Sequence, residues 1–215
     1  MRHTMMLLVF SLFVQVAAAA QATLVRTFED DKIGSPAGGF TTAAGRSAVA
    51  DRWSVRREGS GRVFVHQGHP SPPDGFTVAI LSGAQYHDVE LSVRLKATGG
   101  SRAAGLVWKY QDPENHYAVH LDLARQELGV YRVSSGNRIR LEREDDLELD
   151  PDAWHSLKVL QEDGEIRVYL GGIRVFVERD RQPRAPAGVG LWSAGDTSVM
   201  FDDFRVEDET EPPKQ

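Results

Sequence analysis

The sequence predicts an all-β domain, a sandwich or barrel of many short strands, and three observations predict it. Apolar and polar residues alternate over short runs. Gly, Asp, Asn and Pro, the residues that turns require, separate those runs. Helical spacing of apolar residues is nearly absent across the 215 residues.

The opening stretch, MRHTMMLLVFSLFVQVAAAAQA, sets Arg2 and His3 before an apolar run from Met5 to Val14 and ends in Ala20-Gln21-Ala22. That order predicts a secretory signal peptide over residues 1–22, cut after Ala22 with Ala20 as second choice. The run is short for a bilayer span. The chain has no Cys for a lipid anchor or a disulfide. Export to the periplasm or the outside follows. No later segment approaches the ~18 apolar residues of a membrane span, so the mature chain is expected to be soluble. Formal charge is −6, and losing Arg2 with the leader makes it one unit more negative. Lys and Arg are scattered, so neither nucleic acid nor an anionic membrane is suggested as partner.

Each element follows in order. A first strand is expected around Leu24 to Phe28. FEDDKIGSPAGGFTTAAGR, with Pro36 and several glycines, reads as a long connection, and HQGHPSPPDG as an exposed loop. In YHDVELSVRLKA, Val89, Leu91, Val93 and Leu95 share one face, opposite Asp88, Glu90, Ser92, Arg94 and Lys96. GLVWKYQDPENHYAVHLD reads as a hairpin turning over Gln111 to Asn115. Parity puts Leu106, Trp108 and Tyr110 on one face and Val107 and Lys109 on the other. On the outgoing strand it puts Tyr117, Val119 and Leu121 opposite His116, Ala118, His120 and Asp122. EREDDLELDPDAWH is an acidic, solvated connection. HSLKVLQEDGEIRVYLGGIRVFVE is a three-strand meander whose Asp163-Gly164 and Gly171-Gly172 supply positive φ angles for tight hairpins. AGVGLWSAGDTSVMFDDFRVE gives two last strands joined through Ala194-Gly195-Asp196. Residues 23–206 form one domain, and 207–215 form a tail with too little apolar surface to order itself.

The phrases FEDDKIGSPAGGF, DVELSVRLK, AAGLVWKYQDPENHYAVHLD, DAWHSLKV, IRVYLGGIRVF and AGVGLWSAGDTSVMFDDFRV together carry a resemblance. In order and spacing they resemble exported bacterial domains of the concanavalin A-like, laminin-G-like group named 3-keto-disaccharide hydrolase-like or family-sixteen-glycosidase-like. The resemblance runs from about Phe28 to Val206. It implies a jelly-roll β-sandwich of two antiparallel sheets. It implies no single reaction, because one sandwich hosts lectins, adhesive modules and glycosidases.

Retaining glycosidases of this fold carry acids in a pattern like E-x-D-x-x-E, which holds the carboxylates about 5 Å apart. Glu142, Glu144, Asp146 and Glu148 share a parity but lie beside Pro151 with few core residues. Asp88 and Glu90 lack a third acid. A two-carboxylate glycosidase is therefore not expected. CxxC, HExxH, GxSxG and a phosphate-cradling glycine loop are also missing. His66, His69, His87 and His155 are dispersed, which gives no zinc site, and His155 after Trp154 reads as structural.

Three constellations remain. Lys109, His120 and Asp122 are expected together on the sheet face turned from the core, either as a ligand or catalytic surface or as polar pairs on a wet face. Trp192 leaves Val189 and Leu191 to the core and with Gly190 would give an outward platform for a sugar ring, or would cover a sheet edge. If first and last strands pair, Glu29, Asp30 and Asp31 approach Asp202 and Asp203, a set suited to a structural Ca²⁺ or to solvated turns. Three functional readings follow. The first is a carbohydrate-interacting protein that binds sugar on its concave face through Trp192, Lys109, His120 and Asp122. The second, implied chiefly by the resemblance, is a hydrolase of 3-keto-sugar glycosidic bonds, with His120 as base and Lys109 polarising the ketone. The third is a structural or adhesive domain with no small ligand.

Overall fold

The computed structural model describes residues 23–45, 48–50, 52–180 and 185–209. The leader over 1–22 lies outside the described residues, as do 210–215 of the tail. Fifteen strands, and no helix, occur among the described residues. They are β1 (Thr23–Arg26), β2 (Phe40–Gly45), β3 (Trp53–Glu58), β4 (Gly61–His66), β5 (Phe76–Leu81), β6 (Val89–Gly99), β7 (Ala103–Asp112) and β8 (Asn115–Asp122). After these come β9 (Glu127–Ser134), β10 (Asn137–Glu144), β11 (His155–Glu162), β12 (Glu165–Leu170), β13 (Ile173–Arg179), β14 (Gly188–Ala194) and β15 (Ser198–Asp208).

Two antiparallel sheets face each other. The front sheet runs β10-β9-β8-β7-β14-β5-β2, and the back sheet β13-β12-β11-β6-β15-β4-β3 with β1 added on β15. The meander β11 to β13 turns at Asp163-Gly164 (φ 49° and 75°) and Gly171-Gly172 (58° and 83°), which gives hairpins of the mirror-image type that suits twisted strands. First and last strands do pair, Thr23 opposite Glu207 and Arg26 opposite Phe204. β15 continues to Asp208, beyond the Val206 boundary read from the sequence.

The alternation fixes what faces inward. Val89, Leu91, Val93 and Leu95 of β6 are all buried between the sheets. At one end of the sandwich Phe64 meets the rings of Phe28, Phe40 and Trp53 at centroid distances of 5.4, 5.5 and 5.1 Å. Polar links cross this apolar layer, each satisfied by a partner from the other sheet or its connections. The Trp53 indole N–H donates to Thr77 Oγ1, that of Trp108 to Gln161 Oε1, and the Tyr117 hydroxyl to Asp180 Oδ2. His66 Nδ1 lies 2.8 Å from the Thr197 carbonyl oxygen and 3.0 Å from Ser193 Oγ.

Among the register slips of the two sheets, two reset which side chains face the core. In β7 the register slips between Trp108 and Asp112, and Lys109 sits at φ 47°. In β15 it slips between Asp202 and Arg205, with Asp203 at φ 51°. A bulge inserts one residue into the pleat and inverts every side chain beyond it. FDDF is thereby explained: Phe201 and Phe204, three apart, both reach the core.

Phe64→Ala empties the centre of the ring cluster and is expected to cost about 3–5 kcal/mol in urea unfolding. Ile173→Ala, at a side chain that is 74% exposed, should change stability by less than about 0.5 kcal/mol.

Candidate functional site on the front sheet

The outer face of the front sheet carries a second apolar layer. Phe76, Val78 and Ile80 of β5, Val107 of β7, Ala118 of β8 and Trp192 of β14 pack there, with Tyr110 at its margin. Tyr110 arrives by the β7 bulge, which against β14 sets three steps from Val107 to Tyr110 opposite two from Gly190 to Gly188 and so turns Tyr110 away from the face it would share with Trp108 in an unbroken strand.

One lateral row builds the centre. Register places Val78, Trp192, Gly105, His120 and Gly129 side by side on five neighbouring strands. Gly105 leaves the space between Trp192 and His120 bare, and their rings lean across it to stack at 3.5 Å and 13°. A Cβ at Gly105 would collide with the Val119 carbonyl oxygen. On the other side Tyr131 lies back over Gly129, where a Cβ would come within 2.7 Å of its ring, and stacks on His120 at 4.8 Å and 25°. The Arg138 guanidinium caps Tyr131 at 3.7 Å from the ring centroid and reaches His120 Nδ1 at 3.1 Å through Nη2. Phe76 continues the stack beyond Trp192 at 6.1 Å and 21° and meets His116 at 5.2 Å.

A cavity of about 700 Å³ lies over this face. Phe76, Trp192, Tyr131, His116 and His120 form its inner wall, while Asp74, Asp112, Glu114 and Arg138 bring charge to its margin. A second lobe of about 200 Å³ continues past the ring stack toward Asp122 and Glu127 and shares Asp74, His120 and Arg138 with the first. The Asp112 carboxylate is engaged by the Glu114 amide and the Asn115 side chain, so it shapes the β7–β8 turn. The Asp122 carboxylate accepts from the Ala124 and Arg125 amides.

Both imidazoles are buried and neutral. Burial pushes His116 down to about 4, assisted by Arg138 and opposed by the backbone and carboxylate of Asp112. Burial also holds His120 well below the usual imidazole range, with the Arg138 and His116 charges adding to it. His116 Nδ1 and His120 Nε2 are buried without a hydrogen-bond partner. Burying such a nitrogen unpaired costs about 1–3 kcal/mol. His66, in the core, is likewise lowered to about 4 by burial, with Arg52 adding and the Thr197 carbonyl and Asp196 opposing.

The sequence-based set is therefore redistributed. His120, Asp122 and Trp192 share the outer face and border the smaller lobe. Lys109 does not join them: the bulge turns it to the other side, where Nζ stands 5.4 Å from the centroid of Tyr117, a ring of the inter-sheet core. Trp192 is not an open platform. It is 6% exposed, with His120 on one face and Phe76 toward the other. The acidic set for Ca²⁺ is dispersed although its strands pair. Glu29 accepts from the Arg62 amide, Asp31 from Arg26 and the Gly38 amide, and Arg94 reaches toward Asp202 and Asp203. Asp30 is exposed beside them. Among the described residues no three His, Asp or Glu side chains converge to hold a metal ion.

Phe76, His116, Tyr131, Arg138 and the glycines Gly105 and Gly129 were missed. A mid-strand glycine with an aromatic residue two positions away, as in Gly129-Val130-Tyr131, was the available signal.

No family model matches the chain, and no curated protein matches it in sequence. Solved structures do match in fold. A carbohydrate-binding module, CBM66 from Bacillus subtilis, is 18% identical over 83% of this chain and 99% of its own, with a TM-score of 0.61. The Bacillus licheniformis β-glucanase is 11% identical over 87% of this chain and 98% of its own, at 0.60. Domain 4 of an extracellular arabinanase from Geobacillus stearothermophilus, solved with arabinotriose, is 14% identical over 79% and 82%, at 0.54. The fold is thus the concanavalin A-like jelly-roll sandwich of two antiparallel sheets.

Gly105→Ala must push β7 off β8, and we expect a loss of about 3 kcal/mol in chemical unfolding. Acid sensitivity is the second expectation. Below 6.5, the ordinary imidazole value, the unfolded chain takes up protons that the folded histidines refuse, so stability falls as pH drops. His66 and His116 should each contribute roughly 3 kcal/mol to that fall between pH 6.5 and 4, then level off. Melting temperature against pH should show it, with a shallower slope for His116→Phe.

Proposed function

We propose that the chain is an exported carbohydrate-binding protein that holds an uncharged oligosaccharide in the cavity on the outer face of the front sheet. The observation that carries this reading is the inner wall itself: stacked rings interrupted by neutral imidazole nitrogens, two of which have no partner. Sugar C–H groups suit the rings, and hydroxyls suit nitrogens that neither carry charge nor find a protein partner. The carboxylates of Asp74, Asp112 and Glu114 at the margin outnumber Arg138 and disfavour an anionic glycan. The leader sequence supports export, and the carbohydrate-binding module and the arabinanase domain with similar folds support the ligand class.

Hydrolysis of 3-keto-sugars draws no comparable support. The Nδ1 lone pair of His120 is occupied by Arg138, and Lys109 stands over Tyr117. The binding reading needs neither group as an acid or base.

Isothermal titration of residues 23–215 with arabinotriose, xylotriose, a mixed-linkage β-glucan trisaccharide and a galacturonic acid trimer tests it. At least one neutral sugar should bind with Kd below about 1 mM, and the acidic trimer should not. No heat from any neutral sugar, or tighter binding of the acidic one, overturns the reading. Parallel incubation with 3-keto-glucosides should release no product.

A further inference from the structure

The ring stack fixes the plane of His120 but not which way the imidazole is turned. Trp192 on one face and Tyr131 on the other would accept the ring equally well after a half-turn that exchanges nitrogen for carbon. The atom that distinguishes the two orientations is Nη2 of Arg138, 3.1 Å from Nδ1. A guanidinium has only donors. Nδ1 must therefore present its lone pair, and in a neutral imidazole the proton then resides on Nε2. Nε2 is buried, partnerless and part of a ring that borders both lobes of the cavity. Arg138 is itself held by its stack on Tyr131, so the donor that orients His120 is fixed in turn.

We infer that Arg138 is a positioning residue that makes His120 a hydrogen-bond donor, through Nε2, to an acceptor oxygen of the bound sugar. The ligand half of this inference rests on the carbohydrate reading above, whereas the orientation of the ring does not. A site built around a donor rejects a ligand that lacks the matching oxygen, because the N–H then remains unpaired. Arg138 thus sets specificity without being the main contact. His116, four residues along β8 on the same face and so with its Cα about 13 Å further along the strand, offers its own partnerless Nδ1. A ligand spanning both is longer than one sugar unit.

The test uses the mature chain with ¹⁵N-labelled histidine and the variants Arg138→Met and Arg138→Lys. Met keeps the stem against Tyr131 and removes the donor, and Lys restores a donor. Arg138 is exposed on the edge strand β10, and thermal melts verify that both variants fold. Imidazole nitrogen shifts should show protonated Nε2 and unprotonated Nδ1 at His120 in the parent and in Arg138→Lys. Arg138→Met should show mixed protonation. Protonated Nδ1 in the parent, or an unchanged pattern in Arg138→Met, overturns the inference. Affinity for the three neutral sugars should fall about tenfold in Arg138→Met, the worth of one hydrogen bond, and recover in Arg138→Lys. Altered protonation with unaltered affinity refutes the ligand half. Altered protonation in a protein that binds none of the sugars refutes the carbohydrate reading and leaves the role of Arg138 standing.

Discussion

The outer face of the front sheet depends on one missing side chain. Trp192 and His120 stand on strands separated by β7, too far apart to touch unless the residue between them is bare. Gly105 is that residue, and the neighbouring strand passes so close that no other could replace it. Once the two rings meet, the rest follows in sequence. His120 becomes the middle of a stack, Tyr131 closes it by lying over Gly129, and Arg138 finishes it. Burial then removes the charge from the imidazole, and the cavity acquires a wall that is polar in places but uncharged.

A sheet buried on both faces makes different demands from one with a wet side. Inward residues are chosen for volume, as in the strict alternation of β6. Outward residues over the cavity are chosen for shape, and glycine is as informative there as tryptophan. The bulges at Lys109 and Asp203 mediate between these demands. Each inserts a polar residue in a left-handed conformation and resets the parity beyond it, so that Phe204 returns to the core and Tyr110 leaves it.

Much of the framework was readable in advance. The faces of β6 and the turns at Asp163-Gly164 and Gly171-Gly172 follow from local rules that the chain obeys, whereas the pairing of first and last strands follows from the jelly-roll architecture. Parity failed where it assumed an unbroken pleat. Lys109 was placed beside His120 because nothing in WKYQD marks a bulge, and the acids of FDDF suggested metal ligands when they occupy a kink between two phenylalanines. The stack could not be read either, since its rings come from β5, β14, β8 and β9 and only the cross-strand register brings them together. Arg138 carried the weakest signal of all, one charge among several on a polar strand.

That polar strand has a further consequence. β10 ends the front sheet, and an unpaired edge invites another chain to extend it. Arg138, Arg140, Glu142, Arg143 and Glu144 crowd this edge with charge, a common defence against such templating. The residue that orients His120 is therefore also one of the guards against aggregation. A substitution at this position works under two pressures at once. An apolar replacement that enlarged the cavity would also blunt the edge's repulsion, so the shape of the cavity and colloidal solubility are tied together here.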